Sequence, residues 1–171
     1  METWDAIRAR RNVRHYADRP IPREDLDRIL EAGWRSPSSM NTQPWDFILV
    51  TDREQLRELS KVWRSGGHVA RSAATIAVLS PSVDDPQEQA TIEYDLGQST
   101  MSMMIAAADL GIGSGHSAVG DEELARRILG YPPDRRCALL ISLGYPADRP
   151  LKPIRFPRRR PLDEVAHYGS W

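Results

Sequence analysis

Apolar positions along the chain follow two different spacings, and each predicts a different kind of element. After Pro22, residues Leu26, Ile29, Leu30 and Gly33–Trp34 recur at helical spacing, with Glu24, Asp25 and Asp27 in the early turns where acidic side chains suit a helix start. That helix stops in the breaker-rich stretch Ser36–Pro44. Trp4 and Ile7 share a face of a shorter predicted helix from about Thr3, its expected N-cap, to about Arg11. Continuous apolar runs at Phe47–Val50, Thr75–Leu79 and about Arg136–Leu143 predict three buried strands. Between the first two lies a charged helical segment from about Arg53 to Lys61, then a loop at Gly66–Gly67. The longest predicted helix runs from about Gln87 to Leu110, and its half from Thr100 onward is apolar nearly all the way round. Such a helix must be covered on several sides, and a partner subunit is a natural cover.

Gly111–Gly120 reads as a glycine-rich connection, after which Asp121 caps a short helix to about Leu129. From Tyr145 onward the character changes: prolines at 146, 150, 153, 157 and 161 are interleaved with six Lys/Arg residues. Proline fixes φ and removes a donor, so this part is expected to be an extended arm, a strap swapped onto the partner subunit. The predicted order gives an α+β fold in one domain, residues 1–171, with a central, mostly antiparallel sheet flanked by helices.

Composition narrows the function classes. A chain of 171 residues with 40% hydrophobic and 27% charged residues is long enough for one real core. A net charge of −1 gives no global field that would favour nucleic acid or membrane as a partner. No apolar stretch approaches the roughly 18–20 residues that span a bilayer, and the N-terminus lacks an apolar signal core, so a cytoplasmic location is the expectation. Cys137, the single cysteine, sits in an apolar run and reads as a buried strand residue.

Two segments carry candidate chemistry. Arg10-Arg11-Asn12-Val13-Arg14 places three guanidiniums within five residues, suited to a phosphate or a flavin edge; alone, it reads first as a solvated basic turn. Ser36-Pro37-Ser38-Ser39-Met40-Asn41-Thr42-Gln43-Pro44-Trp45 offers hydroxyls and amides that could read a heteroaromatic edge, or simply a capped turn. Other signals fail. Gly115-His116-Ser117-Ala118-Val119-Gly120 has valine where a nucleophile elbow needs glycine. The histidines at 15, 68, 116 and 167 lack metal-ligand spacing, so no metal is expected. Gly111-x-Gly113 lacks the preceding strand of a dinucleotide fingerprint.

Taken together, R-R-x-x-R, a Pro-initiated helix, S-P-S-S-x-N-x-Q-P-W and a strand resemble the FMN-dependent nitroreductase family. The resemblance continues through Leu110-Gly111, Leu143-Gly144-Tyr145-Pro146 and Arg158-Arg159-Arg160-Pro161-Leu162. It implies a homodimer that passes hydride from NADH or NADPH through FMN to a small electron-poor acceptor, the flavin carrying the hard step. It further implies that Arg10, Arg158 and Arg160 pair with the FMN phosphate, with Arg11 and Asn12 beside them. Arg14 would face the ring's pyrimidine edge. Ser38, Ser39, Met40, Asn41 and Gln43 would reach the same flavin from the other subunit. Gly113–Ala118 would pass over the ring, with His116 near it and a backbone N–H from Ser117 or Ala118 directed at N5. Asn12 stands where the family more often has serine, and Gly66–Gly67 where it often has asparagine. A deazaflavin enzyme with a dedicated substrate, or a flavin carrier without turnover, are the alternatives.

Overall fold

The computed structural model describes all residues from Met1 to Trp171. Four strands, β1 (Asp46–Val50), β2 (Ala74–Pro81), β3 (Gly113–Ser117) and β4 (Arg135–Gly144), form one sheet in the order β1-β2-β4-β3. Every neighbouring pair is antiparallel. Helices α2 (Arg23–Trp34) and α4 (Pro86–Asp109) cover one face, where Ile76, Val78, Ile141 and Leu143 meet Leu26, Ile29, Leu96 and Met103. Helices α3 (Arg53–Leu59) and α5 (Glu122–Leu129) cover the other, where Ala77, Leu79, Cys137 and Leu140 meet Leu56, Leu59 and Ala125. Alternate residues of β2 and β4 thus enter two different cores. That is why both strands read as unbroken apolar runs rather than as alternating ones. Cys137 is buried, and burial pushes its thiol up to about 12, which leaves it chemically quiet.

Three expectations change. Residues 113–117 form an edge strand, not a connection. The first helix, α1, spans Thr3–Ala9, with Glu2 rather than Thr3 at its N-cap and no side-chain cap bond. It buries Ala6 and Ala9, leaving Trp4 67% exposed and Ile7 on its outer face. Gly66–Gly67 lie in a 3₁₀ helix, Gly66–Arg71, because Gly66 packs where a Cβ would stand 2.4 Å from the Ser60 carbonyl oxygen.

The C-terminal arm divides in two. Its first part lies on its own chain: Ala17 N–H donates to Tyr145 O, Ala147 N–H to His15 O and Ile154 N–H to Arg8 O, while Leu151 packs with Ala9, Val13 and Ala108. Beyond it there is one 3₁₀ turn, Leu162–Glu164, and Phe156, Tyr168 and Trp171 are exposed. No helix is long and apolar enough to cross a membrane.

Candidate active site

The segment leaving α1 runs alongside β3. Asn12 bridges Ser114 in parallel fashion and Val13 N–H donates to Ser114 O at 2.8 Å. Extended backbone alternates its side chains. Val13 therefore turns inward and is buried, while Asn12 and Arg14 point out. The glycines of the neighbouring strands make this close approach possible. A Cβ at Gly113 would stand 2.7 Å from Val13 Cβ, one at Gly115 would stand 2.5 Å from Val13 O, and one at Gly144 would stand 2.6 Å from the Tyr16 ring. The glycine-rich sequence is thus a seat for the arginine segment. Any larger residue would push that segment off the sheet.

Electrostatics converge on the end of β3. Burial first, then Arg10 and Arg14, hold the His116 imidazole below its ordinary range, so both guanidiniums bear on this point. Arg10 Nε is enclosed and has no hydrogen-bond partner. A buried donor left bare costs on the order of 1–3 kcal/mol, which marks this atom as one waiting for an acceptor. Ala118, the first residue past β3, is exposed, and its N–H donates to no backbone carbonyl. Ser117 Oγ donates to Ala118 O at 3.1 Å, so this hydroxyl has a carbonyl rather than a base beside it. A cleft of about 450 Å³ opens beside His116, lined also by Leu96, Thr100, Met101, Met104 and Leu139. Thr100 Oγ1 is enclosed without a partner.

Arg11 turns elsewhere. Its guanidinium reaches Asp148 Oδ1 at 3.1 Å and Arg149 O at 2.8 Å, pinning the start of the arm instead of joining Arg10 and Arg14. Of the tail arginines, Arg160 pairs with Glu164 and Arg158 is exposed.

The Ser38–Gln43 loop stands by β1. Its backbone is expensive: Met40, Asn41 and Gln43 all have positive φ, at 50°, 58° and 51°. Each non-glycine residue there costs about 1–2 kcal/mol, asparagine less than the others. Asp95 on α4, almost fully buried, anchors the turn by accepting from Ser39 N–H at 2.9 Å and from Gln98 Nε2 at 3.2 Å. Ser38 Oγ accepts from Gln43 N–H at 2.9 Å. Met40 is 96% exposed, so the loop presents its tip outward. β1 and β3 are opposite edges of the sheet, about three strand spacings, ~14 Å, apart, with the loop by the first and the arginine segment by the second.

Sequence reasoning passes over Asp95, Tyr16 and Ser142, and weighs His68 only as a metal ligand. A lone polar residue within an otherwise apolar stretch, as Ser142 is between Ile141 and Leu143, was the only signal they gave.

Comparison with known proteins places this architecture. The sequence model of the Nitroreductase family matches residues 7–81. A protein of Archaeoglobus fulgidus, provisionally named NADH dehydrogenase/NAD(P)H nitroreductase, is 36% identical over 151 residues, covering 86% of this chain and 87% of its own. The chain belongs to the nitroreductase family. It is an oxidoreductase of the nitroreductase type. The FMN reductase [NAD(P)H] of Bacillus subtilis is a more distant relative, 26% identical, with 92% of this chain and 71% of its own covered. Among solved structures, a nitroreductase of Clostridium difficile described as FMN-dependent superposes with a TM-score of 0.83 at 22% identity, covering 97% of this chain and 98% of its own.

The protein should lose stability in mild acid. His68 is buried, and burial first, then Arg14, lower its affinity for protons; the His116 backbone opposes them and Arg71 adds the smallest push. A histidine whose folded value lies below its unfolded one stays neutral in the fold and takes up a proton on unfolding. Its contribution is therefore fully present above the unfolded value of about 6.5 and is lost as pH falls from there toward the folded value, by at most about 1.4 kcal/mol per pH unit. Urea unfolding of the flavin-free chain between pH 7.5 and 5 measures this. His68→Gln should flatten the slope, and an unchanged slope would show that the ring does not carry it.

Proposed function

We propose that the Arg10–Arg14 segment and the end of β3 bind FMN, and that the enzyme passes hydride from NADH or NADPH to a small electron-poor acceptor such as a nitroaromatic or quinone. One observation carries this: in a chain of the nitroreductase family, Arg10 Nε is enclosed without an acceptor in the same segment as the outward-facing Arg14, alongside β3, whose next residue offers the free Ala118 N–H. Together they suit a group with an anionic phosphate and a polar ring edge, and the names of the Bacillus subtilis and Clostridium difficile relatives support FMN as that group. When bound, FMN supplies reversible two-electron chemistry at N5, so that no protein nucleophile is required.

The chain's own residues bind and orient. Arg10 provides charge-assisted hydrogen bonds to the phosphate, with Arg158 and Arg160 added from the tail. Asn12 contributes an amide beside them. Arg14 places a fixed cation at the ring's pyrimidine edge, where negative charge gathers on reduction. Ser117 or Ala118 provides the N–H directed at N5, with His116 on the flank. Arg11 has a structural part, as its pair with Asp148 indicates.

The Ser38–Gln43 loop stands at the opposite sheet edge from this point, which supports a reading in which Ser38, Ser39, Met40, Asn41 and Gln43 reach the flavin of a second subunit. The outward Trp4, Trp34, Tyr94 and Met101, together with the exposed aromatics of the arm, supply apolar surface for such a homodimer, with the arm crossing to its partner. An obligate interface of this kind buries well over ~2,000 Å² in total. Anaerobic addition of NADH or NADPH tests the activity. The yellow protein should bleach and then recover its colour with a quinone or nitroaromatic. Protein that stays yellow would be a carrier.

Arg14→Ala should lower the FMN midpoint potential and slow reduction by NAD(P)H even when excess FMN restores occupancy. Spectroelectrochemical titration decides this. A potential within error of the parent would leave Arg14 without an electronic role.

A further inference from the structure

Four segments of the chain meet at one buried hydroxyl. Ser142 Oγ on β4 donates to Gly115 O on β3 at 3.0 Å, lies 2.8 Å from His68 Nδ1 and lies 2.7 Å from the Tyr16 hydroxyl. The Tyr16 hydroxyl also lies 2.7 Å from Val13 O, and its one proton is shared between that carbonyl and Ser142 Oγ. Ser142 is fully buried and His68 nearly so. The family motifs described above do not use any of these three side chains. Burying a histidine, a serine and a tyrosine together is costly unless their partners are met, and a satisfied buried network stiffens whatever it joins.

What it joins is specific. Val13 O lies in the peptide that leads into Arg14, and Gly115 O in the peptide that leads into His116. The network thus grips both backbone segments assigned to the proposed flavin site. There is no slack: a Cβ at Gly115 would meet Val13 O, Ser142 Oγ and the Tyr16 hydroxyl at once.

We propose that His68, acting through Ser142 and Tyr16, is a positioning residue that fixes the His116–Ala118 backbone and the Val13–Arg14 peptide in register with each other. Burial with Arg14 and Arg71 nearby keeps the ring neutral, so it works as a hydrogen-bonding wedge and adds no third cation. Burial likewise pushes the Tyr16 phenol up to about 12, which keeps it a donor. The role toward the flavin rests on the proposed FMN site; the grip on β3 does not.

The test compares the full-length parent with His68→Phe, His68→Gln and Ser142→Ala. In flavin-free protein, amide hydrogen exchange over 113–118 should quicken by roughly tenfold or more in His68→Phe and Ser142→Ala, while α2 and β2 keep the parent rate. After loading with FMN, His68→Phe should shift the flavin midpoint potential and lower kcat several-fold with little change in acceptor KM. His68→Gln, which can still donate and accept, should restore part of both. Should His68→Phe fail to fold, Ser142→Ala carries the same readouts. Parent exchange rates over 113–118 would overturn the grip on β3. Faster exchange with unchanged potential and kcat would overturn the positioning role. Protein that takes up no FMN, whatever its exchange rates, would overturn the flavin site itself and with it the role toward the flavin.

Discussion

Replacing Arg10 with alanine is expected to weaken FMN binding by roughly ten- to hundredfold, while riboflavin binding changes little. A phosphate monoester carries about −1.5 to −2 charge near neutral pH, and losing one charged hydrogen bond to it costs about 1.5–3 kcal/mol. Arg10 is the guanidinium best placed to show the full effect, because its Nε is enclosed and meets no acceptor from the protein. Arg11→Ala is the useful contrast. With its guanidinium on Asp148 and Arg149 O, it should loosen the start of the arm and leave the preference for FMN over riboflavin intact. Fluorescence titration of flavin-stripped protein with both ligands separates the two variants. Equal losses for FMN and riboflavin in Arg10→Ala would remove the phosphate from the site.

The second large effect is a gain. Arg14→Ala and Asn41→Ala should each be nearly inactive alone, and co-expressed to form heterodimers they should recover a fraction of parent activity. Arg14 lies by the β3 edge and Asn41 by the β1 edge, and the proposed reading brings them to one flavin from different chains. In the heterodimer one site then carries both lesions and the other carries none. Differentially tagged subunits allow the heterodimer to be purified and assayed. No recovery in that species would rule out sites shared in this way.

Much of the frame was legible because burial writes itself into composition. The runs Phe47–Val50, Thr75–Leu79 and Arg136–Leu143 lie within β1, β2 and β4, and the 24-residue α4 falls within one residue of its expected limits. β3 was hidden because the residues Gly-Ser-Gly-His-Ser have little strand propensity of their own. Their glycines answer a tertiary demand, the seating of Val13 against the sheet, which no local pattern reveals. α1 misled in the opposite sense. Trp4 and Ile7 form an apolar stripe at helical spacing, but the face buried within the chain is that of Ala6 and Ala9.

The site was legible where it is carried by contiguous motifs and illegible where it depends on long-range geometry. Arg10 and Arg14 stand out in the sequence, and the fold sets both against His116. Nothing in the sequence separated Arg11 from them, because its partner Asp148 is 137 residues away. Asp95 reads as one more acidic residue on a helix surface, yet it is buried and holds a loop with three non-glycine residues at positive φ. His68, Ser142 and Tyr16 come from three distant parts of the chain, and only the fold brings them together.

Titration of FMN into the stripped protein, followed by size-exclusion chromatography and anaerobic addition of NADH and NADPH, tests the flavin site most directly. The expected result is yellow dimeric protein that binds FMN more tightly than riboflavin and is bleached by at least one of the two nucleotides. A colourless protein that takes up no FMN, or an FMN-bound monomer that turns over fully, would contradict it.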